Sequence, residues 1–337
     1  MHFSIIIPVY NRPEELEELL NSIMLQEPFK NPEVIVVEDG SSKTSSSIVK
    51  KYEEKLNIKY CFKKNSGPGD SRNYGMERAS GNYFILLDSD CILPKDYLLI
   101  VENALDKDYA DAYGGPDAAH ESFSNWQKAI NYSMTSLLTT GGLRNKETPS
   151  KKFQLRSFNM GLSKKAFGLT GGFSKQRIGE DIDLNFKLLK KDCSTRLIPE
   201  ALVFHKRRTS WRAFFRQTNN FGAARPILNK MHPGTSKLSY WLPTLFVLGF
   251  AAACLLLYVG FLPGILVFGL YTLLVLFDAF SKTKSLAVAF SSIFAVYVQF
   301  FGYGLGYLRS FFRLRVRGMD MRTAFPGMFA LFFVHKP

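Results

Sequence analysis

Hydrophobic and polar positions alternate in a regular way over the first ninety residues. Phe3–Val9 is a β-branched run and predicts a first strand, with Pro8 ending its ladder because proline donates no hydrogen bond. Asn11-Arg12-Pro13 predicts a helix start capped by Asn11. Glu14, Glu15, Glu17 and Glu18 lie in its first turns, where carboxylates suit the helix dipole, and Leu16, Leu19, Leu20 and Ile23 form its core face. Val34–Val37 predicts a second strand, followed by the polar turn Glu38-Asp39-Gly40-Ser41-Ser42 and a helix to about Lys55. Ile58–Phe62 reads as a third strand, and Asp70–Ala79 as a helix after the loop Asn65-Ser66-Gly67-Pro68-Gly69. Tyr83–Leu87 is uniformly apolar between Gly81-Asn82 and Pro94, the pattern of a short strand buried on both faces in the middle of a parallel sheet. Strand and helix in strict alternation predict an α/β domain with a doubly wound parallel sheet.

The pattern loosens after Pro94. A helix around Tyr97–Leu105, a strand at Ala110–Tyr113, a break at Gly114-Gly115-Pro116 and a helix over Ser122–Leu138 are expected. Thr139 through Lys152 is a polar loop, either a mobile segment over a site or plain disorder. Phe158–Ser163 reads as a strand edge, and a helix marked by Ile182, Phe186, Leu188 and Leu189 opens at Glu180-Asp181. Arg196–Pro199 and Ala201–Phe204 read as short strands. Beyond them Trp211, Phe214 and Phe215 interleave with Arg207, Arg208, Arg212 and Arg216. That is the composition of a helix at a lipid headgroup layer, or of a solvated basic helix packed on the domain by its aromatic face.

The C-terminal part follows a different rule. Pro243 to Phe277 is 35 residues without a charge, about 50 Å as one helix and too long for a single ~30 Å crossing. Gly260-Phe261-Leu262-Pro263-Gly264 breaks it into two short helices, and Leu286–Leu308 adds 23 uncharged residues whose Gly302, Gly304 and Gly306 suggest close helix contact. The expected organisation is a catalytic domain over 1–204, a basic and aromatic interfacial segment over 205–239, and transmembrane helices near 243–259, 263–280 and 286–308 with a basic tail within 240–337. Basic flanks face the cytoplasm. The segment before Pro243 and Ser281–Lys284 therefore fit in, out, in, but a third crossing would put Arg309, Arg313, Arg315, Arg317 and Arg322 outside. Either the third segment re-enters or Phe325–Val334 dips back into the membrane.

Charge sharpens this division. The net charge is +14, yet residues 1–204 hold 27 basic and 27 acidic side chains. Residues 205–239 hold eight basic and none acidic, and 240–337 eight basic and two acidic. The excess lies beside the apolar part, which favours an anionic membrane surface as partner; the neutral domain is not expected to bind nucleic acid. The four cysteines are scattered without metal-type spacing, as in a reducing compartment, and Met1–Ile5 runs into a strand without a signal-peptide layout. The expected location is the inner membrane, multi-pass, with the catalytic domain cytoplasmic.

Candidate chemistry gathers at strand ends. Asp88 and Asp90 are two apart on an extended chain, so both point the same way. In open α/β sheets ligands bind beyond the carboxyl ends of strands, and hard divalent cations take one or two carboxylates plus phosphate oxygens. The pair suggests a metal-bound diphosphate, against an ordinary polar turn. Pro8-Val9-Tyr10-Asn11, Glu38-Asp39-Gly40-Ser41, Arg72-Asn73, Asp88-Ser89-Asp90 and Gly179-Glu180-Asp181 follow in this order, each at a predicted strand end or helix start.

That ordered set, over about residues 3–225, resembles the family 2 glycosyltransferases with their Rossmann-like GT-A nucleotide-sugar domain. The resemblance implies a donor-binding group of Pro8, Tyr10, Asn11, Glu38, Asp39, Arg72 and Asp88, with Asp39 accepting from base or ribose. It implies Mn²⁺ or Mg²⁺ on Asp90, with Asp88 and His205 as further ligands, and a catalytic base at Asp181 with Glu180 beside it. Each residue also has an ordinary structural role open to it: a turn or cap for Asp39, a surface arginine for Arg72, a capping acid for Asp181, a structural imidazole for His205. The implied reaction is inverting transfer of one sugar from a nucleotide-sugar, UDP-linked in first preference, to a lipid-linked or saccharide acceptor. Processive synthases of the family carry Gln-x-x-Arg-Trp; here Arg216-Gln217-Thr218-Asn219-Asn220 matches only at Gln217. A processive synthase, a polyprenyl-phosphate glycosyltransferase and a non-catalytic sugar-nucleotide-binding membrane protein are the alternatives.

Overall fold

The computed structural model describes residues 1–141 and 154–329. In chain order it contains β1 (Phe3–Val9), α1 (Pro13–Met24), β2 (Glu33–Asp39), α2 (Ser46–Lys50), β3 (Ile58–Lys63), α3 (Pro68–Arg78), β4 (Tyr83–Leu87), β5 (Cys91–Ile92), α4 (Tyr97–Lys107), β6 (Ala112–Gly114), β7 (Asp117–Ala118), α5 (Asn125–Thr135) and α6 (Leu137–Thr140). Then come β8 (Asn159–Ser163), α7 (Lys164–Thr170), α8 (Glu180–Lys190), β9 (Thr195–Leu197), β10 (Val203–His205), α9 (Trp211–Met231), α10 (Leu242–Tyr258), α11 (Pro263–Thr283), α12 (Leu286–Phe311) and α13 (Met321–Ala324). The chain divides into two compact units. Among the described residues, the first holds 1–120, 154–206 and Phe329, the second 121–141 and 207–328. The structure thus draws the division differently from a continuous 1–204 domain. Helix α5 belongs to the second unit, because its Ala129, Ile130 and Met134 pack with Phe214, Val288 and Ala295.

In the first unit a seven-stranded sheet runs β3-β2-β1-β4-β8-β6-β9. Period-two alternation sorts its side chains. Ile5, Ile7, Val34, Val36, Ile85 and Leu87 face Leu16, Leu19, Leu20, Val101 and Leu105. Ile6, Ile35, Val37, Phe84 and Leu86 face Met76, Leu184 and Leu188 on the other side. The strands read as continuous apolar runs because both faces are covered.

Four expectations need correction. The sheet is not parallel throughout: β3 to β4 and the β6–β9 pair are parallel, but β8 pairs antiparallel with both β4 and β6. Phe158–Ser163 therefore supplies an interior strand, not an edge. Pro8 does not end its ladder: it pairs with Val37 and Val9 with Glu38, while pairing with β4 stops at Ile6, so Pro8 sits in an edge-like position that tolerates a missing N–H. Asn11 is not the α1 cap. It adopts a left-handed conformation (φ 53°), and its Oδ1 accepts from the Lys43 N–H and the Ser42 hydroxyl, leaving Pro13 to open the helix after Arg12.

A small second sheet, β5-β10-β7, lies at the end of β4. It pairs His205 with Cys91.

In the second unit, α10 and α11 form a hairpin, with Phe246 against Tyr271 and Phe250 against Phe268. Segments Leu238–Tyr258, Pro263–Thr283 and Leu286–Val316 are each long and apolar enough to cross a membrane. The expected basic helix is present as α9, but its face of Phe214, Thr218, Gly222, Ala223, Ile227 and Leu228 is buried. The described part of Phe325–Val334 holds a turn at Pro326–Met328 and an antiparallel bridge from Phe329 to Gln176. The rest of that segment, and all of the Thr139–Lys152 loop beyond Gly141, lie outside the described residues.

Candidate active site

All the singled-out carboxylates lie in the first unit, and most are matched by a cation. Beyond β2, Asp39 is nearly buried and accepts from the Ser66 and Gly67 backbone N–H groups, each at 2.9 Å, and from Lys63 Nζ at 2.8 Å. It thereby orders the Asn65–Gly67 turn from which α3 starts. Glu38, expected among the donor contacts, lies wholly inside. One oxygen accepts from the Ser41 hydroxyl, the other from the Ser45 N–H (2.7 Å) and Tyr60 OH (3.2 Å). The Ser41 Oγ in turn accepts from the Asn11 N–H at 2.7 Å, so Glu38 braces the β1 and β2 loops against each other. Pro8 is half-buried in β1, and Tyr10 stands 53 % exposed at the loop tip.

Helix α3 approaches the site closely because two of its positions carry no side chain. A Cβ on Gly75 would lie 2.5 Å from Ile6 Cγ2, and one on Gly69 3.3 Å from Glu180 Cγ. One turn on, the fully buried Arg72 divides its guanidinium between two carboxylates, with Nη2 on Asp88 Oδ1 at 2.5 Å and Nη1 on Glu180 Oε1 at 3.2 Å. Phe173 stacks over it, 5.3 Å from ring centroid to Cζ. Arg72 therefore joins the end of β4 to the start of α8. Burial, and after it the charge of Asp181, push the Glu180 carboxyl up to about 7, against the pull of Arg72. Asp181 follows in the first turn of α8. Its Oδ1 accepts from the Ile182 N–H at 2.8 Å and its Oδ2 faces Arg156 Nη1 at 3.4 Å.

Asp90 has other surroundings. Its Oδ2 pairs with Arg12, and its Oδ1 lies 3.2 Å from His205 Nε2. The His205–Cys91 pairing of the small sheet and the Lys206 N–H on the Asp90 carbonyl (3.0 Å) fix this approach. Asp117, buried, stands behind the imidazole with Oδ2 3.5 Å from Nδ1, and Phe158 stacks on its face at 4.7 Å. A donor separation of 3.2 Å fits two adjacent ligands of an octahedral ion, whose ~2.1 Å bonds set neighbouring donors about 3.0 Å apart. A carboxylate orienting the far nitrogen of a ligating imidazole is the usual support. Asp90, Cys91 and His205 form a cluster with ligand atoms within 4.8 Å. Burial, with Asp90 adding to it, pushes the Cys91 thiol well up, and a hard divalent cation prefers the carboxylate and imidazole as donors. The donor set fits Mn²⁺ or Mg²⁺, with imidazole favouring the former. Asp88, expected as a further ligand, pairs through Oδ1 with Arg72.

Sequence reasoning missed Arg12, Lys63, Arg156 and Asp117. Arg12 stood next to a singled-out residue and was read only as helix start; no local pattern marks the other three, whose roles come from tertiary pairing.

Residues 4–169 match the model of "Glycosyl transferase family 2". The chain is 39% identical over 114 residues to the poly(ribitol-phosphate) beta-N-acetylglucosaminyltransferase TarS of Staphylococcus aureus, covering 33% of this chain but only 20% of that protein. It is 26% identical over 239 residues to an Escherichia coli chondroitin synthase, 60% of this chain and 34% of the relative. The chain thus matches a minor part of these curated relatives. Among solved structures it resembles a mannosyltransferase from Pyrobaculum calidifontis in complex with GDP-Man and Mn²⁺, with TM-score 0.61 at 16% identity over 89% of this chain and 87% of that one. It also resembles residues 1–349 of S. aureus TarS in complex with UDP, with TM-score 0.50 at 20% identity over 96% and 93%. Motif order, sheet topology and these likenesses converge: the chain carries a family 2 glycosyltransferase domain of the GT-A fold, followed by a helical region with three apolar helices.

Proposed function

We propose that this protein moves one sugar, with inversion, from a nucleotide-diphosphate sugar to a hydroxyl or phosphate of a lipid-linked or saccharide acceptor at the cytoplasmic face of the inner membrane. The observation that carries the reading is the placement of Asp181 at the head of α8, one residue from the Arg72-bound Glu180 and through Arg72 tied to Asp88. Asp181 takes the acceptor proton as the oxygen attacks the anomeric carbon, and Arg156 fixes one of its oxygens so that the other lone pairs point consistently. In-line displacement inverts the centre without a covalent enzyme intermediate. Asp90 and His205 would hold Mn²⁺ or Mg²⁺, which when bound neutralises charge on the departing diphosphate. Asp39, braced by the Ser66–Gly67 turn, together with Pro8 and Tyr10 lines the base-binding end. A UDP-sugar is the first donor to test, since TarS structures hold UDP and UDP-GlcNAc; GDP-Man, held by the mannosyltransferase, is the second.

The α10–α11 hairpin crosses the bilayer twice. Anchoring raises the effective concentration of a membrane-held acceptor. The single partial match at Gln217 favours one transfer over processive synthesis.

The test is turnover of a panel of nucleotide sugars by the full chain in lipid, with Mn²⁺ or Mg²⁺. Asp181→Asn is expected to lose about 10²–10⁴-fold in transfer while nucleotide affinity stays within a factor of two. Unchanged transfer by that variant removes Asp181 from its role.

A further inference from the structure

We propose that α12, though long and apolar enough to cross a membrane, lies along the bilayer surface across the base of the α10–α11 hairpin, so that the hairpin alone spans. The inference rests on the hairpin crossing argued above.

Both ends of α12 meet the same end of the hairpin. Leu286 follows α11 after a left-handed turn at Lys284 (φ 52°), so α12 begins where α11 ends. Nearby, Ala289 packs with Val275 and Ala279 of α11. Midway, Tyr297 OH lies 2.8 Å from Thr272 Oγ1, and Phe300 meets Phe246 at 4.6 Å. At the far end, a Cβ on Gly304 would lie 2.6 Å from the Pro243 carbonyl, Thr244 Oγ1 donates to the Gly304 carbonyl at 3.0 Å, and Trp241 packs on Tyr307 and Phe311 at 4.9 and 4.8 Å. Pro243 opens α10 and Thr283 closes α11; in a hairpin turning at Gly260 both lie on the same face. A third span running back beside α11 would bring its last turns to the Gly260 turn. Instead α12 ends beside the start of α10.

Helix α9 supplies a second, independent reason. It runs alongside α12, with Trp211 on Phe294 at 4.6 Å and Asn219 Nδ2 donating to the Gly302 carbonyl at 3.0 Å. Gly302 and Gly306 meet Thr218 and Asn219, and Gly222 meets the Tyr303 carbonyl, so close that no side chain fits between the two helices. Arg212 and Arg216 of α9 are exposed and lie between those contacts, level with the middle of α12. A spanning α12 would carry both guanidinium groups towards the bilayer centre, at about 2.5–3.5 kcal/mol each on insertion scales. At the surface they meet headgroups, and Arg309, Arg315, Arg317 and Arg322 stay on the same side as Lys282 and Lys284. The charge conflict of a third crossing disappears.

The test places single reporters in the full chain after Cys61→Ser and Cys254→Ser, the two cysteines that are not buried. Phe261→Cys is expected to react with a membrane-impermeant maleimide on intact spheroplasts, and Val316→Cys only after the membrane is opened. Labelling of Val316→Cys on intact spheroplasts overturns the surface placement alone. Failure of Phe261→Cys to label overturns the hairpin crossing, and with it both this inference and the proposed anchor. A second measurement does not depend on sidedness. Spin labels at Phe290→Cys and Leu305→Cys, both exposed on α12, are expected at equal shallow depth by oxygen and nickel accessibility. A spanning helix would separate fifteen residues' rise, about 22 Å, in depth, and that result would sink the proposal.

Discussion

Asp88 and Asp90 leave the same strand two residues apart, yet they meet opposite fates. Asp88 faces a cation that the protein carries in its own core, the buried Arg72, which it shares with Glu180. Asp90 faces an imidazole backed by a second carboxylate, with Arg12 coming from a loop that is partly open to solvent. The first arrangement is closed. Three charges compensate one another among β4, α3 and α8, and the pair works chiefly as a joint that sets where α8 presents Asp181. The second has the donor spacing of an incomplete coordination shell. Spacing along the chain predicts that two carboxylates point the same way; what each then faces depends on what the rest of the fold has placed opposite it.

The largest effect expected from this contrast is on the closed side. Arg72→Met leaves the buried Glu180 and the half-buried Asp88 facing each other without their shared cation. The loss should be about 3–5 kcal/mol of stability, visible as a lower unfolding midpoint of the solubilised chain whether or not Mn²⁺ is added. A midpoint unmoved by Arg72→Met would mean that Asp88 and Glu180 do not depend on it, and the distinction between the two aspartates would fall. On the open side the expectation reverses. Asp117→Asn keeps the shape behind His205 but weakens its orientation. Mn²⁺ affinity by calorimetry should fall about 10–100-fold, with little change in unfolding without metal. If instead metal binding survives Asp117→Asn and fails in a variant of Asp88, the assignments must be exchanged.

The same contrast explains how much was legible beforehand. The strands β1 to β4, the helices between them and the hairpin break at Gly260 follow from local periodicity, since each apolar run must be covered and each break carries glycine or proline. Beyond β4 the reading faltered. Whether β8 runs antiparallel inside the sheet, or α5 joins the second unit, depends on packing between residues far apart in sequence. In the site, the acids were visible because each stands at a strand end or helix start. Their partners were not: Lys63 meets Asp39 across 24 residues, Arg156 meets Asp181 across 25 and Arg12 meets Asp90 across 78, and none of these arginines or lysines sits in a motif. Asn11 shows the same limit at short range. Its type suited a cap, but holding the Ser42 hydroxyl and the Lys43 N–H competed for the side chain and won.

The smallest effect tests the closed side without breaking it. The Glu180 carboxyl is raised to about 7, with burial as the main cause, whereas in an unfolded chain it titrates near the ordinary ~4.5. Between those values the folded state holds a proton that the unfolded state has released. Stability is therefore fully present below the unfolded value and declines as pH rises through the folded one. Glu180→Gln keeps the carbonyl that Arg72 Nη1 contacts and removes the titration. Compared with the parent, the variant should lose stability less steeply from about pH 4.5 to 7, by on the order of 1–2 kcal/mol across that window. Above it the variant should equal or exceed the parent in unfolding midpoint, provided the Arg72–Asp88 pair holds the joint by itself. A variant that is instead less stable at every pH would show that Arg72 needs the Glu180 charge as much as its shape. The joint would then be a true three-charge unit and not an Asp88–Arg72 pair with a neutral neighbour.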